Sequence, residues 1–135
     1  MKLCNEVITV FNPKLNTTTD KDDYHRTVIT GASWFCEIVS TVDAGLKAAN
    51  KFTVRIPEDA DFGGKTYADP LIYAAAEDVS DLFTLRNGDI IVRGEVTAMD
   101  VRPAALHNGY EAFTVLGVTD NRRAPNAPHW KVIGS

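Results

Sequence analysis

The stretch of this chain closest to a working chemical motif is Gly63-Gly64-Lys65-Thr66, which matches the end of a phosphate-binding loop. That loop needs another glycine five positions before the last one, so that backbone N–H groups can cradle phosphate. Asp59 stands there instead, and its carboxylate would repel the anion. Two acidic runs, Asp20-Lys21-Asp22-Asp23 and Asp59-Ala60-Asp61, have the oxygen density of calcium loops. An EF-hand loop needs an oxygen ligand at its fifth position and a glutamate at its twelfth. Those positions hold Tyr24 and Gly31 in the first run, Gly63 and Pro70 in the second. His25, His107 and His129 fall in separate segments, without the helical i, i+4 spacing of a zinc protease. No Gly-x-Ser-x-Gly nucleophile elbow occurs. Cys4 and Cys36 both lie in apolar segments, which favours buried, inert thiols over a disulfide. The expectation is a protein that is not an enzyme and holds no catalytic residue, cofactor or metal.

The elements that would position any site are short strands. Glu6–Phe11 is rich in β-branched residues and ends at Asn12-Pro13. Lys14–Asp23 reads as an exposed loop or hairpin tip. Tyr24–Thr30 alternates like a strand, and Gly31-Ala32 breaks it. Ser33–Val42 is apolar on both faces, as a central strand would be. Lys51–Ile56 follows, stopped by Pro57. Further strands are expected at Ile90–Val96, Ala112–Val118 and His129–Ile133, with a turn at Asn87-Gly88. Pro103–Asn108 has the punctuation of a short helix.

Residues 58–82 stand apart as a long excursion, acidic and glycine-containing at first, then apolar and aromatic. Loops this long in compact domains usually carry function, and the aromatic content argues that this one docks on something. The fold class expected is mainly β: a small β-barrel, or a sandwich-like fold, as one domain over residues 1–135.

Composition narrows the classes further. The net charge of −4, with basic residues scattered, argues against a nucleic-acid-binding face. No apolar run approaches the length needed to span a bilayer. Met1–Glu6 lacks the features of a secretory signal, so a reducing cytoplasm is expected and the Asn16-Thr17-Thr18 sequon carries no meaning. Trp34 and Trp130 either fill the core or anchor an interface. Arg122-Arg123, in a proline-flanked loop, are either solvated or in contact with an acidic partner.

Several segments taken together resemble small structural proteins from the neck of tailed bacteriophages and prophages. They are Val7–Asn12, Gly31–Phe35, Phe52–Pro57, Phe83–Gly94, Phe113–Arg123 and His129–Val132. In their order of short strands, long loop and Gly-Asp turn they are similar to the head-closure (head–tail joining) family. The resemblance implies a β-barrel that forms a homo-oligomeric ring, monomeric when isolated, between portal or adaptor proteins and the tail-terminator ring. It implies a location in the virion, and in the host cytoplasm during assembly. DNA would pass the ring without sequence-specific binding, and no membrane is involved. Glu58, Asp59, Asp61, Lys65, Tyr67 and Tyr73 map onto the loop that lines the channel in that family. Arg122, Arg123 and Trp130 are the candidate partner interface. A tail-terminator or other minor capsid protein is the neighbouring reading, and a β-barrel module for a small ligand is the alternative from another class.

Overall fold

A computed structural model describes residues 6–16, 21–41, 47–76, 78–96, 106, 110–125 and 127–135. The strands are β1 (Glu6–Asn16), β2 (Lys21–Thr41), β3 (Lys47–Pro57), β4 (Thr66–Tyr67), β5 (Leu82–Phe83), β6 (Ile90–Arg93), β7 (Ala112–Asn121) and β8 (His129–Gly134). A short helix, α1 (Pro70–Ala75), lies between β4 and β5. Six strands close a barrel in the order β1-β2-β3-β8-β7-β6. The β-barrel expected from alternation is therefore the fold.

The barrel is two antiparallel sheets that share two bent strands. The first half of β2 pairs with β1, from Asn16↔Lys21 to Glu6↔Ala32. The second half changes partner and pairs with β3, from Ser33↔Arg55 to Thr41↔Lys47. Gly31 sits at this change with φ 102°, a backbone conformation that suits a residue without Cβ. Strand β7 does the same, pairing with β6 through Ala112–Thr114 and with β8 beyond a bulge at Val115/Gly117. Bulges bend a strand and re-aim its side chains, which is how one strand serves two sheets. Sheet A is thus β2–β1–β6–β7, and sheet B is β2–β3–β8–β7.

Two sequence expectations are corrected here. Gly31 does not end a strand; it bends one, because both halves keep hydrogen-bond partners on opposite sides. Nor does Asn12-Pro13 end β1. Pro13 lies past Phe11↔Ile90, the last pairing with β6, and proline is tolerated on such an edge. The expected helix at Pro103–Asn108 lies outside the described residues except for Leu106, which is helical and buried.

Inside the barrel, Ile8, Val10, Ile29, Val54, Ile56, Ile91, Phe113, Val115, Trp130 and Val132 form the main core. Phe52 and Phe113 stack in it, with ring centroids 5.1 Å apart. Sheet A has a second apolar layer outside: Phe11, Ile90 and Val92 pack with Val96 and Leu106. The continuous run Ile90-Ile91-Val92 is therefore buried on both faces. Strand β8 instead alternates half-buried and buried positions, so one face of sheet B looks outward.

Candidate functional site

The segment after β3 seals the corner where β2 changes partner. Thr30 and Asp61 exchange backbone hydrogen bonds of 2.9 and 3.0 Å. The Lys65 ammonium donates to the Arg26 carbonyl and to Thr27 Oγ1. Its partial burial holds its pKa below the usual lysine range. Phe62 and Tyr67 then lay their rings on the barrel end, against Phe83 and Trp130. The parallel pairing of β4 with β5 closes the excursion on itself.

Helix α1 begins where Asp69 caps it, its Oδ1 accepting from Leu71 N at 3.1 Å, with Pro70 at the first helical position. It buries Tyr73 with Ala68 and Val79 in a small core of its own. Burial pushes the Tyr73 phenol up to about 12.

Residues 58–82 are therefore a plug that docks on its own barrel, and this reassigns three of the six candidate channel residues. Tyr73 is fully buried, Tyr67 is half-buried under Arg122, and Lys65 is bonded to β2. Glu58, Asp59 and Asp61 do present side chains to solvent.

Among the candidate interface residues, Trp130 is 2% exposed and belongs to the core, so it cannot anchor a partner while the barrel is closed. The Arg122 guanidinium covers its ring and that of Tyr67, 5.1 Å from each centroid. Asp120 holds that guanidinium with two oxygens, Nε to Oδ1 at 3.0 Å and Nη2 to Oδ2 at 2.7 Å. The pairing lowers the Asp120 carboxyl pKa and raises that of Arg122. Arg122 is thus a clasp between the β7–β8 loop and the plug. Arg123, Glu58, Asp120 and Arg122 line an open, charged cleft of about 560 Å³.

The Asn87-Gly88 turn, with Gly88 at φ 94°, serves a buried carboxylate. Asp89 is fully buried, and its Oδ2 accepts from Arg86 N at 2.8 Å and Asn12 Nδ2 at 2.9 Å. Arg86 Nε lies 3.3 Å from Oδ1, while its Nη2 donates to the Pro13 carbonyl. Asn12 also bonds the Thr84 backbone in both directions. Burial dominates these favourable contacts and pushes the Asp89 carboxyl up to about 7. The network ties β1 to the segment between β5 and β6.

Among the described residues no group of His, Cys, Asp and Glu is arranged to hold a metal ion. Cys36 is an exposed free thiol, which corrects the expected buried one. It lies at the end of the barrel, opposite Phe52, where β3 makes its last pairing with β8. Cys4 lies outside the described residues.

The surface features that sequence reasoning missed are apolar. Phe35 is 55% exposed, Leu116 60%, Leu71 81% and Ile72 63%. Alternation made Ser33–Val42 look central, but beyond Ala32 this half of β2 has β3 as its strand partner, and Phe35 stands on the outer side. Leu71 and Ile72 directly precede Tyr73 on a helix of six residues. So short a helix has one buried position, and that is the only signal the sequence held. Long two-stranded extensions were equally hidden. Asn12–Asn16 with Lys21–His25 run past the end of β6, and Phe35–Thr41 with Lys47–Thr53 run toward and past the end of β8.

This chain belongs to DUF6751, a family of unknown function, whose sequence profile matches residues 3–135. No curated protein and no solved structure matches it.

Proposed function

We propose that this chain is a structural virion protein of a tailed phage or prophage, a subunit of the head-closure or head–tail connector ring that joins the portal complex to the tail. The observation that carries this reading is strand β2. Its 21 residues run for about 65 Å of chain at about 3.3 Å per residue, far beyond the barrel that its middle helps to close. At both ends it continues as a two-stranded arm with no third strand among the described residues. Two-stranded hairpins are marginal on their own in water and gain stability by packing on something. A subunit that reaches neighbours at both ends suits a stack of rings.

The surface supports the same choice over a ligand-binding barrel. Such a module would have one deep, mostly apolar pocket with a few convergent polar groups. Among the described residues the barrel interior is filled by side chains, and the cleft beside Arg123 is open and charged. Exposed apolar side chains lie outside, on β2, β7 and α1. In the ring, the solvent-facing Glu58, Asp59 and Asp61 would turn to the channel and keep passing DNA from adhering.

Electron microscopy of particles from a producing strain, with and without this gene, tests the reading. Its loss is expected to give tail-less heads that leak DNA, together with free tails. Normal infectious particles without it would overturn the virion role.

A further inference from the structure

Four exposed apolar side chains, Phe35, Leu116, Leu71 and Ile72, fall into two patches, the first beside exposed or half-buried cations and the second beside exposed carboxylates. The first is the outer face of sheet B. Phe35, Thr53, Ile133 and Gly117 form one cross-strand row, with Leu116 at the β7 bulge beside it. Ile133 lies close over Gly117: a Cβ there would stand 3.2 Å from Ile133 Cγ1. The next row on the same face is Ser33, Arg55, Lys131 and Thr119, which adds two cations. The second patch is the tip of α1, where Leu71 and Ile72 project. Asp69 caps that helix, and the turn that completes its small core carries Asp78 and Asp81, all three exposed.

In one chain the two patches lie on different parts of the fold, α1 and the outer face of sheet B. Lys14 holds α1 to the β1–β2 arm through a 3.1 Å bond to the Ala74 carbonyl, and Arg86 stacks on Tyr73 beneath it. From Tyr24, opposite Pro13 at that arm, to Phe35 is roughly 35 Å of strand. A helix of this length spans only about 9 Å.

We propose that the Leu71–Ile72 tip of one copy of this chain docks on the Phe35–Ile133–Leu116 face of a second copy, with Asp69, Asp78 and Asp81 set against Arg55 and Lys131. The contact joins two different surfaces, so it is heterologous and leaves the pair with one free patch of each kind, one on each copy. Repetition of such a contact builds a ring when its rotation closes. This deepens the ring reading above by naming the faces that meet.

The test uses full-length protein with Cys4→Ser and Cys36→Ser, adding Ile72→Cys to one preparation and Phe35→Cys to another. Each is oxidised alone and as a mixture at the highest soluble concentration. Disulfide dimers in the mixture are expected to exceed those of either preparation alone by about tenfold. Charge reversal at Arg55 and Lys131 in the Phe35→Cys chain should abolish that excess, and reversal of Asp69, Asp78 and Asp81 in the partner preparation should restore it. Predominant Phe35→Cys homodimers, or cross-linking no greater in the mixture than alone, would overturn the contact. Head–tail defects in the gene-deleted strain alongside such a result would leave the virion role standing and remove only this interface.

Discussion

Sheets A and B are halves of one barrel, share β2 and β7, and treat their outer faces in opposite ways. Outside sheet A, Phe11, Ile90 and Val92 lie under Val96 and Leu106. Outside sheet B, Phe35 and Leu116 stand in solvent beside Ile133. Both faces carry large apolar side chains. What differs is the cover: Val96 and Leu106, which follow β6, pack over sheet A, and none of the described residues packs over Phe35 and Leu116 in the same way. An apolar face that the described residues leave bare stays in solvent, whereas a covered one is a second core.

Two phenylalanines put that difference to the test. Phe11→Ala is expected to cost about 3–5 kcal/mol in urea unfolding, the usual range for emptying a buried aromatic site. A loss under about 1 kcal/mol would mean that the second layer of sheet A is loosely held.

The inner side of sheet B is as tight as its outer side is bare. A Cβ at Gly134 would overlap the Thr114 carbonyl oxygen and the edge of the Phe113 ring. Gly134→Ala is therefore expected to destabilise by about 1–3 kcal/mol through overpacking. An unchanged melting temperature would show that the end of β8 is slack.

The Asp89 network, on the sheet A side, predicts a pH dependence. Its carboxyl is pushed up to about 7, above the value of an unfolded carboxyl. Between about pH 4 and about pH 7 the folded chain keeps a proton that the unfolded chain releases, so this group's contribution falls as pH rises. Each pH step within that window removes up to about 1.4 kcal/mol of it. Asp89→Asn cannot titrate, so the native chain is expected to lose ground against this variant as pH rises through that window. A difference that stays constant would show that Arg86 keeps Asp89 ionised throughout. The smallest effect belongs to Phe35→Ala, within about 0.5 kcal/mol for the isolated chain. A larger loss would mean that the outer face of sheet B is covered after all.

Much of the barrel was legible in the sequence because a strand's period of two marks each inward side chain. Ile8 and Val10, Val54 and Ile56, Trp130 and Val132 all point inward as alternation requires. The turn at Asn87-Gly88 followed from its residue types. The candidate site was less legible. Glu58, Asp59 and Asp61 are exposed, as acidic loop residues should be, but Tyr67 and Tyr73 turned inward. An aromatic in a loop announces that it will be buried against something, and not whether that something is its own chain.

The sequence by itself determined the strand content, the turn chemistry and the inward rows, because these depend on residues within a few positions of one another. Only the tertiary structure decided which apolar faces are covered. Gly31 can end a strand or bend it, and Phe35 can be core or surface. Each choice rests on which distant segment, β1, β3 or the plug, supplies the neighbouring hydrogen bonds and surface, and local pattern carries no record of that partner.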